Sequence, residues 1–341
     1  MTFLRHRLFW PAAILVVLLV TNVFFASTFF HITVLDGHLY GSVVDIARRS
    51  APLILVAVGM TLVIATGGID LSVGSVMAIS GALACKQIGD LANQNSVVGV
   101  LLACGAAVGL ALVLGIWNGT LVAVIGIQPI IATLILMVAG RGIAQLLTEG
   151  QILNVSSGPY KMIGAGYTLA LPVSVLIAAA VVVIAVVLTR RSALGLLIEA
   201  VGGSPTASRL AGIQARRLTV MVYVFAAVCA GIAGLIYSSN VSSADSNAAG
   251  NLIELDAILA VVIGGTALTG GRFSLAGTVL GAVLIETLNV TTVTVGVPVE
   301  TTLVFKAVVV IVLCLAQSPT FRAKVFKRRT TTTPAPVEVP A

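Results

Sequence analysis

The chain has 341 residues, 58% of them hydrophobic and 9% charged, with a net charge of +7 and a mean hydropathy of +1.12. A soluble globular domain carries about 25% charged residues, so this composition excludes one. The basic residues flank apolar runs, and no soluble domain presents them together, which argues against nucleic acid as a partner.

A bilayer core takes about 20 mostly apolar residues per helix, and lipid-facing backbone must satisfy its own hydrogen bonds. The apolar runs are continuous rather than alternating, which rules out a barrel and predicts an all-α polytopic membrane protein. Ten spans are predicted: 10–30, 51–66, 72–89, 96–117, 128–147, 171–189, 218–237, 255–269, 274–293 and 301–316. The first follows Arg5, His6 and Arg7 and is longer than the apolar core of a signal peptide (about 7–15 residues), so it is read as a retained helix. The second and eighth are short. Residues 1–329 are read as one transmembrane domain and 330–341, rich in Thr and Pro, as a disordered cytoplasmic tail.

Ten crossings put both termini on one side, with Arg190, Arg191, Arg209, Arg216, Arg217, Arg272 and the basic residues of both ends of the chain. Arg48, Arg49, Lys86 and Lys161 fall opposite. The excess of Lys and Arg marks the first side as cytoplasmic. The opposite face carries Asp36, Asp45, Asp90, Glu149, Asp245, Glu254 and Glu300, where a charged or polar partner would dock. The GxxxG pairs Gly105/Gly109 and Gly277/Gly281 are read as close packing between helices of the chain. Cys85, Cys104, Cys229 and Cys314 sit in apolar runs without metal-ligand spacing and are read as small core residues.

In chain order, the first segment that carries mechanism is 66–75, where Gly67, Gly68, Asp70, Ser72 and Gly74 interrupt an apolar region. A charge at membrane depth must face protein or water. Two readings stand: a broken helix lining a translocation path, or a turn in which Asp70 caps the next helix. Asn118, Gln128, Asn289 and the threonines 287, 291, 292 and 294 offer hydrogen bonds to a polar solute or to other helices. Arg141, Glu286 and Lys306 lie inside spans, where ionisable groups usually pair, so Glu286 with Lys306 or Arg141 is a predicted structural ion pair. Residues 190–217 are the longest charged stretch between spans. Within it Ser204 suits an N-cap, Pro205 a first helical position and Gly212 a stop, which predicts a short helix for a motor subunit to grip. No lysine follows a glycine anywhere, so there is no G-x-x-x-x-G-K-[ST] loop for ATP. No nucleophile–base spacing suggests an enzyme.

From Gly67 to Ser75 the chain resembles the ribose/galactofuranose-type permeases of bacterial ATP-binding-cassette (ABC) sugar importers. Further matching strings are 128–134, 139–142, 195–213 and 254–266, in order, so the likeness extends from Ser50 to Gln317. Strings around Asp36–Gly41, Asn118–Gly119 and Leu134–Gly142 look most like galactofuranose permeases. The resemblance implies a ten-helix permease of the bacterial inner membrane, paired with a second, identical or different, permease. Two cytoplasmic ABC ATPase subunits and a periplasmic sugar-binding protein would complete the importer. No cofactor would bind this chain, since ATP acts on the partner ATPase. The likeness makes residues 200–213 the ATPase-coupling segment, with Glu199, Gly202, Ser204, Pro205, Arg209 and Gly212 as its contact residues. It tips Gly67, Gly68, Asp70, Ser72, Gly74, Asn118, Gln128 and Arg141 toward translocation. The expected cargo is galactofuranose, with ribose or another pentose or hexose next. An ion-coupled transporter using Asp70, Glu286 and Arg141 is the lesser alternative.

Overall fold

Each of the ten apolar runs forms a helix in the computed structural model, which describes residues 9–25, 29–35, 37–296 and 298–317. The α-helices are α1 Phe9–Phe25, α2 Ser42–Ala65, α3 Val73–Gly89, α4 Val97–Thr120, α5 Pro129–Thr148, α6 Gly158–Ala165, α7 Val173–Arg191, α8 Leu194–Gly203, α9 Pro205–Leu210, α10 Ala215–Val241, α11 Ile253–Ile263, α12 Leu275–Val295 and α13 Val299–Gln317. A π-helical stretch, Leu121–Ile125, ends α4. Six of these helices are long and apolar enough to cross a membrane. Arg5, Arg7, Asp36, Arg322, Lys324, Lys327, Arg328, Arg329 and the tail 330–341 lie outside the described residues, as do the side chains of Glu300 and Cys314.

One expectation about span length changes and one holds. The second span is not short: α2 begins at Ser42, so Asp45, Arg48 and Arg49 lie inside the helix instead of in a loop before it. A hydropathy run stops at charge, whereas the helix continues because an internal cavity accommodates these side chains. Pro52 also lies within α2 and has no N–H to offer the Arg48 carbonyl. The eighth span does stay short, as α11.

The connections sort to two ends of the bundle. At one end, Gly271 N–H donates to the Ala65 carbonyl at 2.9 Å. There Thr66–Gly68, residues 122–126, Pro205, Arg209 and Arg216 share one cleft. Arg190, Arg191 and Arg217, which bound the helices leading to this cleft, and Arg272 beside Gly271 make it the basic end. At the other end, short strands hold the loops together. β1 (Thr33–Leu35) pairs with β2 (His38–Tyr40), β3 (Leu153–Asn154) with β6 (Ser243–Ala244), and β4 (Tyr167–Thr168) with β5 (Leu171–Pro172), all antiparallel. Tyr167 packs against the His38 and Tyr40 rings, with centroids 5.1 and 5.0 Å away, and Leu39 N–H donates to the Ala170 carbonyl.

α10 is the axis of the molecule, packing against α2, α3 and α4. Lipid is as apolar as leucine, so close van der Waals contact holds such helices together. Small residues provide it: a Cβ on Gly59 would fall 2.7 Å from the Ala226 Cα, and one on Gly234 would fall 2.2 Å from the Met77 carbonyl oxygen. Gly277 and Gly281 pack in the same way against Gly264 and Ala260 of the α11 region, as expected. Gly105 and Gly109 do not. They face outward with nothing within 4 Å, because α4 turns Ala103, Ala107, Ala111, Gly115 and Gly119 inward instead. The outer surfaces of α4, α5 and α13 expose Leu101, Leu102, Val138, Val308 and Ile311, as lipid contact demands. Cys85 and Cys229 are buried and Cys104 is half-buried, all as free thiols.

Candidate functional site

Residues 66–72 turn from α2 into α3 at the basic end. Thr66 closes α2, Gly67 takes φ +85°, and the Gly68 and Gly67 N–H groups bond back to the Val63 and Ile64 carbonyls. This is the glycine-terminated stop that satisfies the last carbonyls of a helix. The turn after α11 repeats it: Gly265 has φ +86°, and the Thr266 and Gly265 N–H groups bond to Val261 and Val262. The turns after α2 and α11 are thus alike, with Gly67 and Gly265 in equivalent places, and the two loops meet through Gly271 and Ala65.

Asp70 is buried and accepts hydrogen bonds from the Ser72 N–H (2.9 Å) and Ser72 Oγ (2.6 Å). Ser72 Oγ in turn accepts from Asn118 Nδ2 at 2.8 Å. Thr133 of α5 receives the Leu71 N–H and donates to the Pro129 carbonyl. Asp70 therefore holds the start of α3, which is the geometry of the turn reading. The same cluster keeps two buried polar atoms, Asn118 Oδ1 and Tyr223 Oη, without a partner among the described residues. Tyr223 and Gly67 and Gly68 line the cleft of about 300 Å³ that also receives Arg209. Gln128 is exposed at the start of α5 and does not join this cluster.

Gly74 and Arg141 serve a third place. A Cβ on Gly74 would fall 2.4 Å from the Gly250 carbonyl oxygen and 2.5 Å from Glu254 Oε2. Arg141 reaches from α5 to the same stretch. Its Nη1 donates to the carbonyls of Ala249 and, at 3.3 Å, Ser246, and its Nη2 to that of Gly250 at 2.7 Å. Arg141 thus fastens the 245–252 turn to the bundle. Glu254, expected on an open face, is buried, because α11 starts inside the bundle. Asp245 folds onto its own turn by accepting from the Asn247 and Ala248 N–H groups.

The predicted Glu286–Lys306 pair does not form. Lys306 Nζ lies 2.9 Å from both carboxylate oxygens of Asp256, and Glu286 accepts from Asn289 at 3.0 Å. α11 lies between α2 and α12 and presents Asp256 to α13, a placement that sequence spacing does not encode. Thr287, Thr291, Thr292 and Thr294 donate to carbonyls of their own helix.

Residues that sequence reasoning did not assign to a site, together with Glu286, line a cavity of about 470 Å³. Its polar wall is Arg48 and Arg49 of α2, Asn240 of α10, Asn251, Asp256 of α11 and Glu286 of α12. Arg48 bonds Asp45 at 3.1 Å and Asn240 at 3.3 Å. The available signal was charge at 45, 48 and 49, one helical face, immediately ahead of an apolar run.

Helix α9 follows its sequence signals. Ser204 Oγ accepts the Ala207 N–H, Pro205 opens α9, and Gly212 with φ +83° follows its end. The Gly212 and Ile213 N–H groups bond to the Arg209 and Ser208 carbonyls. Helix α8, not anticipated, precedes it. Gly202 of α8 meets the Ala65–Gly271 contact: its Cβ would fall 1.8 Å from the Ala65 carbonyl oxygen. Glu199 lines a shallow recess with Arg190 and Phe273. Leu196 and Leu210 project outward, 73% and 86% exposed.

The family described as branched-chain amino acid transport system / permease component matches residues 42–314. The galactofuranose transporter permease protein YtfT of Escherichia coli K12 is 47% identical over 323 residues, 93% of each chain. The fructose import permease protein FruF of Bifidobacterium longum is 44% identical over 83% of this chain and 79% of its own. The ribose import permease protein RbsC of Escherichia coli K12 is 37% identical over 80% of this chain and 84% of its own. No solved structure matches.

Proposed function

From the premise that this chain belongs to the branched-chain amino acid transport system / permease component family, we propose that it is the membrane-spanning subunit of an ATP-driven importer of a small sugar. The observation that carries this is the identity of 47% across 93% of both chains with a galactofuranose permease, joined by fructose and ribose permeases over most of their lengths. Galactofuranose is the first-ranked cargo. The fructose and ribose permeases make a small monosaccharide the shared substrate class. The chain is a conduit and not an enzyme. Separate ATPase subunits hydrolyse ATP, a periplasmic binding protein delivers the sugar at the hairpin end, and a second permease, identical or different, completes the path. It sits in the bacterial inner membrane with its basic end and both termini in the cytoplasm, as the charge bias supports.

Helix α9 is the grip for the ATPase. The exposed Leu196 and Leu210 offer it apolar contact and Arg209 offers charge. Motion of α9 reaches the helices through Gly202, where the chain touches the ends of both α2 and the α11–α12 turn.

The importer reconstituted in vesicles with its ATPase and binding protein should take up sugar only with ATP. Uptake by this chain alone, driven by an ion gradient, would sink the proposal. Gly212→Val should uncouple the machine: a β-branched residue in left-handed backbone costs at least about 1–2 kcal/mol and distorts the end of α9. Binding-protein-stimulated ATP hydrolysis should persist while uptake falls about tenfold, and Gly212→Asn, which tolerates that backbone, should retain most uptake.

A further inference from the structure

We infer that the cavity between α2, α10, α11 and α12 is a transient sugar chamber within the single chain, and that Arg49, Asn251, Asp256 and Glu286 contact the cargo. This inference rests on the permease reading above and assigns a site to it.

The volume of about 470 Å³ falls in the range of roughly 300–1,000 Å³ that small-molecule sites occupy. Its wall mixes the two surfaces a monosaccharide needs. Pro52, Leu53, Met77 and Ile236 supply apolar patches for ring C–H faces, and Tyr237 adds an aromatic edge. The polar wall offers donors from Arg48, Arg49, Asn240 and Asn251, and acceptors from Asp256 and Glu286.

Charge balance selects the ligand class. Facing the cavity or tied to groups that do are three cations, Arg48, Arg49 and Lys306, and three anions, Asp45, Asp256 and Glu286. A chamber balanced in this way neither concentrates an ion nor repels a neutral solute, and it gives hydroxyl groups charge-assisted partners. Not every group is spent on its neighbours. Arg48 Nε is buried without a partner among the described residues, and Glu286 accepts from Asn289 alone. A neutral polyol fits these vacancies better than an ion or a lipid tail does.

The location also suits transit. Each helix that carries a polar wall residue, except α10, runs to the Gly202 contact at the basic end: α2 directly through Ala65, and α11 and α12 through the turn that contains Gly271. Movement of α8 and α9 therefore changes the separation of Arg49, Asp256 and Glu286, which is the differential contact that a two-state transporter requires.

The test uses the complete importer in vesicles, with D-galactose, D-fructose and D-ribose as probes. Asn251→Trp, at an exposed position on the cavity wall, should lower sugar moved per ATP about tenfold, the equivalent of about 1.4 kcal/mol. Binding-protein-stimulated hydrolysis should stay near wild type, and Asn251→Ala, which removes the amide contact without filling the chamber, should lower sugar moved per ATP less than Asn251→Trp does. As a second measurement, Asn251→Cys should react with a charged thiol reagent above the background of the unsubstituted chain, and a transported sugar should slow that reaction. Unchanged sugar per ATP for Asn251→Trp, or labelling of Asn251→Cys that no transported sugar slows, overturns the chamber while leaving the importer reading intact. A wild-type importer that moves none of the three sugars with ATP overturns the importer reading and the chamber with it.

Discussion

Gly202→Ala is expected to abolish uptake, although it adds one methyl group to a helix on the surface of the bundle. That methyl would fall 1.8 Å from the Ala65 carbonyl oxygen and 2.6 Å from the Gly271 nitrogen. These two atoms are themselves hydrogen-bonded at 2.9 Å, so the new group is driven into backbone that no rotamer change can move aside. Overpacking in a closed contact costs about 1–3 kcal/mol, and more when backbone must shift. The response available is for α8 to lift off the end of α2, which parts the proposed coupling segment from α2 and the α11–α12 turn. Gly203→Ala provides the control, because its Cβ meets nothing within 4 Å. Uptake and ATP hydrolysis measured on both variants decide the matter: Gly203→Ala should behave as wild type and Gly202→Ala should transport nothing measurable. Wild-type uptake by Gly202→Ala would show that force does not pass through this contact.

Arg141→Met should be the most damaging change inside the membrane domain. The guanidinium serves the carbonyls of Ser246, Ala249 and Gly250, and Ser246 and Ala249 are buried residues. Each buried acceptor left empty costs about 1–3 kcal/mol. The loss therefore amounts to several kcal/mol, enough to release the 245–252 turn and the start of α11. Arg141→Lys should recover only part of it, since an ammonium is a point donor while the guanidinium fork spans several acceptors. Thermal unfolding in detergent, read beside limited proteolysis between residues 245 and 252, should show a lower midpoint and new cleavage for Arg141→Met, with Arg141→Lys between it and wild type. A cleavage pattern identical to wild type in Arg141→Met would contradict the role given to this residue.

The spans were legible because continuous apolar sequence has only one use at this length, and all ten became helices. Helix α9 was legible residue by residue, because Ser204, Pro205 and Gly212 act on backbone within a few positions of themselves. Partners across the bundle were not. Lys306 chose Asp256 over Glu286 because of where the short helix α11 sits, and hydropathy gives no account of that. Gly105 and Gly109 misled for a related reason: spacing places them on one face of α4 but does not say which way that face points. Arg48 and Arg49 were put in a loop because a hydropathy window treats charge as the end of a span, and an internal polar cavity removes the basis for that rule. Asp70 admitted two readings in the sequence, and its bonds to Ser72 tie it to the start of α3.

Pro52 lies inside α2, beside Arg48 and Arg49, and the helix runs on from it to Ala65. At 1.5 Å per residue that stretch is a rod of about 20 Å. A tilt of roughly five degrees about Pro52 would swing the far tip by about 2 Å, the scale of shift by which packed helices slide in switching proteins. A nudge of that size at one face would thus reach the Ala65–Gly271 contact at the other without any intervening loop.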